Sequence, residues 1–381
     1  MGKIIAKIAD YMRETDKLLL SLCIAASSYG CIAVMSATNY TGSLRQFFMQ
    51  VICMIAGLVA VVVISSFDYR HLSRYWPIVA ALTLIPVILT FFFGYAPGDT
   101  DDRAWLYIGS FSFQPSELLK IGFLITFGLH LVRVGSDINK LKNVILLCIH
   151  GAIPVALIHF QGDDGTALVF FIMFLAMMYM AGLKLRYWLI ALGAGIAALP
   201  VIYYVIMNDD QRSRIIQMFN IEADLQGAGW QQWRGRIALA NGGLFGQGLF
   251  NGSLTQVKDA IPEGYNDFIF TCIGEELGLL GCLVVVILLF AICLRVLRVG
   301  KNTGDKFGTY ICTGVFAMLA AQTVINLGMC LSILPVIGVT LPFFSAGGTS
   351  LLCLYCGIGV VVSVYMHRTS TSPGLKDMSG I

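Results

Sequence analysis

Long stretches without a charged side chain constrain this sequence more than any other feature. A bilayer span needs about 20 predominantly apolar residues. Two spans that carry a few charges are predicted at about 115–134 and 266–294. The remaining spans lie in stretches that contain no Asp, Glu, Lys or Arg: 18–44, 46–67, 75–98, 143–162, 165–183, 187–208 and 307–367. Because Pro335 and Pro342 divide the last stretch into two helices around a loop, the sequence predicts an all-α polytopic membrane protein with ten transmembrane helices.

The distribution of basic residues predicts the orientation in the membrane. With a cytoplasmic N-terminus, 17 of the 25 Lys and Arg residues fall in cytoplasmic loops and tails, as the positive-inside rule requires. We therefore expect both termini in the cytoplasm, as a segment at 1–17 and a tail at 368–381 of one domain covering 1–381. This asymmetry accounts for the net charge of +3 and does not indicate a nucleic-acid partner.

A long outer loop, residues 209–265, connects the seventh and eighth predicted spans. Loops of this length usually carry function or are disordered. This one holds aromatic residues such as Trp230 and Trp233, which are atypical of a disordered linker, so we expect this fourth extracytoplasmic loop to fold onto the helices. Its run GGLFGQG at 242–248 resembles a phosphate-binding loop only superficially, because it follows no strand.

Glu117 and Lys120 are charged residues inside a predicted span. Inserting such a residue costs about 2.5–3.5 kcal/mol on translocon scales. The two stand three residues apart on one helix, so their side chains share a face and can pair. Two interpretations remain open: a structural ion pair that neutralises itself inside the bundle, and part of a polar cavity that binds substrate.

Asp267 precedes a strongly apolar helix at the outer membrane boundary. An Asp at the first turn of a helix is commonly an N-cap, which stabilises the helix by about 1 kcal/mol. A carboxylate at the membrane–water boundary that faces a cavity can instead act as a general base. The residues alone leave both roles open.

Several arginines lie on the predicted outer loops, among them Arg103, Arg214 and Arg236. Guanidinium groups match phosphate oxygens in a bidentate geometry, so these side chains are candidates for holding a phosphate group. The alternative is that they are solvated surface charges.

Four sequence blocks resemble the SEDS proteins, the RodA/FtsW/SpoVE group. They are WLYIGSFSFQPSELLK (105–120), GWQQWRGRIALANGGLFGQG (229–248), IPEGYNDFIFTCIGEELG (261–278) and NLGMCLSILPVIGVTLPFFSAGGTS (326–350). The blocks occur in the family's order, and the resemblance covers essentially the whole chain. It implies a peptidoglycan glycosyltransferase of the bacterial cytoplasmic membrane. Such an enzyme polymerises lipid II, an undecaprenyl-pyrophosphate-linked disaccharide-pentapeptide, at the outer face and works with a class B penicillin-binding protein.

The resemblance also implies roles for individual residues. The family's essential Asp falls on Asp267, and the Glu and Lys that the family keeps in a central cavity fall on Glu117 and Lys120. Further substrate-binding or cavity residues are expected in the same blocks at Trp105, Gln114, Ser116, Gln231, Glu263, Ser345, Gly347 and Gly348.

The implied substrate in turn implies a mechanism. Lipid II is α-linked to its pyrophosphate and the polymer is β-linked, so the anomeric carbon is inverted and one base, Asp267, suffices to deprotonate the incoming 4-hydroxyl. The leaving undecaprenyl pyrophosphate needs a countercharge. We expect it from Arg103, Arg214 or Arg236, or from a divalent cation (Mg²⁺ or Mn²⁺), and we expect no other cofactor.

The chain departs from the family's pattern at three places. Gly162 stands where the family has Pro in its QPDxGT segment, and Ala346 stands where Tyr is common. Arg234 and Gly235 replace a Gln-Ser or Gln-Ala pair. These changes affect expected loop contacts and leave Asp267 untouched.

Two other functions are kept as alternatives. A flippase or transporter of lipid-linked cell-wall precursors would use the intramembrane ion pair along its path, with Asp267 only a helix cap. A non-catalytic scaffold would only recruit a penicillin-binding protein. Polymerisation yields glycan strands and free undecaprenyl pyrophosphate, whereas transport changes only the sidedness of the lipid.

Overall fold

The computed structural model describes residue 11 and residues 13–96, 103–108, 111–219, 228–261 and 263–368. Helices dominate this part of the chain, and one antiparallel hairpin is formed by β1 (Leu106–Ile108) and β2 (Phe111–Phe113). The helices are α1 (Lys17–Ala37), α2 (Arg45–Ser65), α3 (Arg70–Arg74), α4 (Trp76–Phe93), α5 (Pro115–Val134), α6 (Leu141–His159), α7 (Asp164–Met180), α8 (Leu185–Val201), α9 (Asp209–Phe219), α10 (Ala228–Gly242), α11 (Ile269–Lys301), α12 (Lys306–Cys330) and α13 (Gly348–Met366). Short 3₁₀ helices occupy Asn39–Thr41 and Gly135–Asn139, and a π-helical turn occupies Ile202–Ile206.

The helices confirm the predicted all-α polytopic architecture. Among the described residues, nine helices are long and apolar enough to span a membrane, and α7, with 17 residues, is a shorter apolar helix. Each of the ten predicted spans therefore has a helix at its place. The β1–β2 hairpin was not predicted, and α11 runs several residues beyond its predicted end.

Helices α5, α12 and α13 form the buried centre of the bundle, and α8 lies at its edge without a single buried residue. Small residues allow other helices to pack closely on this centre, as is usual in membranes. At Gly57 of α2, a β-carbon would lie 2.5 Å from the ring of Tyr355 on α13. The apolar side chains left exposed on α8 face outward, as expected for a surface in contact with lipid.

The described parts of the 209–265 loop fold onto the bundle, as the aromatic content of this loop predicted. Its helix α10 is fixed by Gln232, whose amide donates to the carbonyls of Met329 (3.3 Å) and Leu334 (2.7 Å). At Gly235, a β-carbon would lie 3.2 Å from the side chains of Phe268 and Thr271, so α10 packs closely on the start of α11.

Helix α11 is interrupted at Gly278, whose backbone (φ +65°, ψ −164°) is not helical. Residues 243–248, hereafter the clasp, supply partners for the backbone groups at this break. Gln247 N–H donates to the Glu275 carbonyl (3.0 Å), and Leu279 N–H donates to the Gly243 carbonyl (2.9 Å). Backbone groups at membrane depth must find partners within the protein, so the glycine-rich run binds a broken helix rather than a phosphate.

Two buried carboxylates hold the neighbouring loop on the same break. Glu275 accepts hydrogen bonds from the backbone N–H groups of Leu254 (2.9 Å) and Thr255 (2.7 Å) and from two hydroxyl groups. Glu276 accepts from Gln256 Nε2 (2.7 Å) and from the Ser36 hydroxyl. A buried carboxylate with several such donors is satisfied without a cation, so these acids anchor the loop.

The clasp requires glycine more strictly at position 246 than at position 243, and this difference can be tested. A β-carbon at Gly246 (φ +78°) would lie 2.1 Å from the Glu276 carbonyl oxygen, whereas Gly243 (φ +52°) has nothing within 4 Å. Both Ala variants suffer left-handed backbone strain of about 1–2 kcal/mol, but only Gly246→Ala adds a clash that opens the clasp. We expect a clearly lower Tm for Gly246→Ala than for Gly243→Ala in detergent. Equal Tm values would show that the clasp does not support the fold.

Candidate active site

Asp267 lies two residues before α11, where the 209–265 loop meets the helix. The N-cap of α11 is Phe268, without a side-chain capping hydrogen bond, so Asp267 does not cap this helix. Within the part of the chain that the structure describes, no donor is hydrogen-bonded to its carboxylate. The side chain is half-buried, and its oxygens are free to bind another molecule.

The surroundings of Asp267 favour its protonated form. Burial, followed by the negative charges of Glu263 and Asp163, raises the pKa of Asp267 from 3.8 to about 7. Glu263 is exposed and accepts a hydrogen bond from Asn266 Nδ2 (2.5 Å). A carboxylate that changes protonation state near neutral pH suits general-base catalysis.

Gly338 forms the opposite wall of this site. It lies in the 331–347 loop between α12 and α13, and its φ of +65° favours glycine. A β-carbon at Gly338 would lie 3.7 Å from Asp267 Oδ2. The missing side chain therefore leaves space directly beside the carboxylate, where an acceptor hydroxyl can approach.

The predicted pairing of Glu117 with Lys120 is confirmed. Lys120 Nζ lies 2.7 Å from Glu117 Oε1, and both side chains are buried, at 1% and 5% exposed. The second carboxylate oxygen accepts from Ser350 Oγ (3.2 Å), which lies 3.5 Å from Thr340 Oγ1. Thr340 belongs to the same 331–347 loop as Gly338, so polar groups connect the ion pair with the loop beside Asp267.

Several other predicted residues surround this arrangement. Gln114 Nε2 donates to Asp163 Oδ2 (2.8 Å), which joins the start of α5 to the start of α7. Ser116 is buried, and its hydroxyl has no partner in the described structure. Ser345 Oγ donates to the Asn266 carbonyl (2.8 Å). Gly347 is the N-cap of α13.

The remaining predicted residues are more peripheral. Trp105 pairs through its backbone with Tyr95, next to the hairpin. Gln231 is half-buried and Arg236 exposed on α10. At Gly348, a β-carbon would lie 3.0 Å from Cys53 Sγ, so this glycine permits helix packing.

The three candidate phosphate-binding arginines differ in their contacts. Arg103, Arg214 and Arg236 are all exposed. Within the described residues, Arg214 is the one of the three whose guanidinium donates a hydrogen bond: it binds the carbonyl of Val336 (3.3 Å), two residues before Gly338. Arg214 is therefore the one attached to the loop that borders Asp267.

The departures from the family's pattern have local structural consequences. Gly162 has φ +91°, which proline cannot adopt, so this turn differs from one with the usual Pro. Arg234 donates to the Ala260 carbonyl (2.9 Å) and stacks on Trp230. Ala346 N–H donates to the Tyr265 carbonyl (2.8 Å), a backbone contact that does not depend on the side chain.

Four residues at this site were not singled out from the sequence: Asp163, Asn326, Gly338 and Ser350. Asn326 stands in the charge-free stretch 307–367, where a buried polar side chain is a signal in itself. Asp163 belongs to the QGDDGT segment, beside the departure from the family's pattern at Gly162. Their proximity to Asp267 depends on tertiary contacts.

A protein-built metal site is not visible in the described residues. Within these ranges, no group of three or more His, Cys, Asp or Glu side chains could hold a metal ion. Of the acids near Asp267, Asp163 accepts hydrogen bonds from Gln114 and from Thr166 N–H, and Glu263 accepts one from Asn266.

Comparison with known sequences gives consistent matches over nearly the whole chain. The family described as "Cell cycle protein", that of FtsW, RodA and SpoVE, matches residues 16–370. "Peptidoglycan glycosyltransferase MrdB" of Escherichia coli is 30% identical over 359 residues, which cover 94% of this chain and 95% of that protein. "Probable peptidoglycan glycosyltransferase FtsW" of Trichlorobacter lovleyi is 30% identical over 380 residues, with 96% and 95% covered.

Solved structures share the fold. A chain from a structure described as "Structural coordination of polymerization and crosslinking by a peptidoglycan synthase complex" superposes with a TM-score of 0.80 at 24% identity, covering 93% of this chain and 99% of that one. The rod shape determining protein RodA of Thermus thermophilus gives a TM-score of 0.69 at 23% identity, with 93% and 97% covered. At this identity the likeness concerns the fold alone.

Proposed function

This chain belongs to the FtsW/RodA/SpoVE family and is a multi-pass membrane peptidoglycan glycosyltransferase, and on that premise we propose that it polymerises lipid II at the outer face of the cytoplasmic membrane, with Asp267 as general base. The observation that carries the proposal is the state of Asp267. Its carboxylate has no hydrogen-bonded donor in the described structure, has a pKa raised to about 7 and borders the space left by Gly338.

The proposed step is an inverting displacement. Asp267 accepts the proton of the acceptor sugar's 4-hydroxyl, and the oxygen uses its electron pair to form the bond to the anomeric carbon of the donor. The bond between that carbon and the pyrophosphate oxygen breaks, and its electron pair leaves with undecaprenyl pyrophosphate. No covalent enzyme intermediate is needed, because one displacement converts an α-linkage into a β-linkage.

We expect the acceptor hydroxyl and the pyrophosphate to be bound by side chains of opposite charge. Asp163, Glu263 and Asp267 form a negative region that repels pyrophosphate. Arg214, which contacts the backbone two residues before Gly338, supplies positive charge on the same loop and is our preferred ligand for the leaving group. Arg103 and Arg236 remain candidates for contacts farther along the pyrophosphate.

The position of the proposed site suits a lipid-linked substrate. An undecaprenyl chain requires a site within reach of the bilayer, and the site lies where outer loops meet the spanning helices.

We propose that a class B penicillin-binding protein accompanies the enzyme and that both termini are cytoplasmic. The fold shared with a chain from a peptidoglycan synthase complex supports the first point, and the distribution of basic residues supports the second.

The deciding experiment supplies lipid II to the purified protein in proteoliposomes, with and without its cognate class B penicillin-binding protein. We expect glycan strands and free undecaprenyl pyrophosphate in equivalent amounts. Movement of lipid II across the bilayer without polymer would indicate a transporter. Neither polymer nor movement, with the partner present, would indicate a scaffold.

The raised pKa of Asp267 sets the direction of the pH dependence. A base must be deprotonated, so we expect the polymerisation rate to fall about tenfold per pH unit below pH 7 and to level off above it. Removing the Glu263 charge lowers the pKa of Asp267, so Glu263→Gln should move the profile towards lower pH. A rate that is flat from pH 5 to pH 8, measured with the partner present, would contradict this assignment.

A further inference from the structure

The peptide that carries Asp267 is held at three successive carbonyl groups. The carbonyl of Tyr265 accepts from Ala346 N–H, and that of Asn266 accepts from Ser345 Oγ, both at 2.8 Å. The carbonyl of Asp267 accepts from Asn326 Nδ2, also at 2.8 Å. Each donor comes from α12 or from the 331–347 loop that follows it.

Asn326 uses both hydrogens of its amide for backbone contacts. One goes to the Asp267 carbonyl and the other to the Val339 carbonyl (2.7 Å). The side chain is fully buried, so water does not compete for these bonds. Cys330 Sγ, 3.5 Å from the Asp267 carbonyl, is a second and weaker donor.

The two carbonyls that Asn326 joins belong to the two walls of the site. Val339 directly follows Gly338, the residue opposite Asp267 Oδ2. One buried amide therefore fixes the distance between the base and the wall beside it. The width of the gap that receives the acceptor hydroxyl depends on this bridge.

Ser345 reinforces the bridge from the other end of the loop. Its hydroxyl donates to the Asn266 carbonyl and accepts from Leu341 N–H (2.7 Å). Its own carbonyl accepts from the buried Gln50 amide (3.0 Å). Ser345 thus ties the loop to itself, to α2 and to the peptide before Asp267.

We propose that Asn326 and Ser345 are positioning residues that hold Asp267 at a fixed distance from the 331–347 loop. The inference rests on the proposed role of Asp267 as general base. Both amide hydrogens of Asn326 and the hydroxyl of Ser345 are used in contacts within the protein. Both act through the backbone, where displacement of a reacting group by about 1 Å costs up to 10²-fold in rate.

The test compares Asn326→Leu, which keeps the size of the side chain and removes both donors, with Ser345→Ala. Gln322→Leu is the matched control, because Gln322 is a buried amide one turn away on α12 whose Oε1 has no partner in the described structure. Rates are measured per folded molecule, together with the pH profile. For Asn326→Leu we expect kcat to fall roughly 10- to 100-fold, with KM for lipid II nearly unchanged.

The outcomes distinguish failure of the positioning role from failure of the base assignment. If Asn326→Leu keeps the wild-type kcat per folded molecule while Asp267→Asn is inactive, the positioning role is wrong and the base assignment stands. If Asp267→Asn is as active as wild type, the proposed function itself fails. If Asn326→Leu does not fold, Ser345→Ala decides: a lower kcat at unchanged KM supports positioning, and an unchanged kcat overturns it. A loss in Gln322→Leu equal to that in Asn326→Leu would also overturn it.

Discussion

Replacing Asp267 by Asn is expected to lower the rate of glycan polymerisation by about 10²- to 10⁴-fold, the usual contribution of a positioned general base. Asn has nearly the shape of Asp but cannot accept the proton of the acceptor hydroxyl. The loss should appear in kcat rather than in KM, because the base acts in the transition state. The measurement is polymer formed from lipid II, with the penicillin-binding protein present.

The same substitution is not expected to destabilise the fold. In the folded protein the pKa of Asp267 is raised to about 7 from 3.8, so the folded state holds this proton more tightly than the unfolded state. Its contribution to stability is therefore full below pH 4 and is lost as the pH rises through 7. Asn remains neutral at every pH, so above pH 7 the Tm of Asp267→Asn should equal or exceed that of wild type.

Asp259→Asn is the matched control for this experiment. Asp259 lies in the 209–265 loop that precedes Asp267, is exposed, and has φ +56°, a conformation that Asn also adopts. We expect wild-type activity from it. Equal polymer from Asp267→Asn and Asp259→Asn would remove Asp267 from the mechanism.

The sequence predicted the parts of this architecture that depend on local composition. Ten spans follow from apolar stretches, because a helix must satisfy its own backbone in lipid. The Glu117–Lys120 pair follows from helical spacing. The residues alone identified Asp267 as notable but did not decide its role, because an N-cap and a general base can both be an Asp just before a helix. The resemblance to the family favoured the general base, and the absence of a side-chain capping hydrogen bond in the structure is consistent with that role.

The rest of the site could not be predicted because it consists of contacts to backbone carbonyls far away in the chain. Asn326 binds the Asp267 carbonyl across 59 positions, and no side-chain pattern marks a carbonyl as a partner. The clasp is similar: the sequence only allowed a phosphate-binding role for GGLFGQG to be set aside, because its actual role depends on the break at Gly278. Among the three candidate arginines, only the hydrogen bond to the folded loop distinguishes Arg214 from the other two.

Removing one partner of the buried ion pair is expected to cost much more stability than removing both. Lys120→Met leaves the Glu117 carboxylate buried with Ser350 as its one hydrogen-bond donor in the described structure, and an uncompensated buried charge costs about 3–5 kcal/mol. The double variant Glu117→Gln/Lys120→Met replaces the pair with neutral side chains of similar size, which is often nearly neutral for stability. Thermal unfolding in detergent should therefore show a large loss of Tm for Lys120→Met and recovery in the double variant.

Activity of the double variant then separates the two interpretations of the pair. Ser350 and Thr340 connect Glu117 with the 331–347 loop beside Asp267, which favours a role in the cavity. If the pair takes part in substrate binding or in setting that loop, the double variant regains its Tm but not its polymerisation rate. If the pair only neutralises itself inside the bundle, both recover together. Because stability and rate are measured on the same protein, a fold that is restored without activity assigns the charges themselves to function.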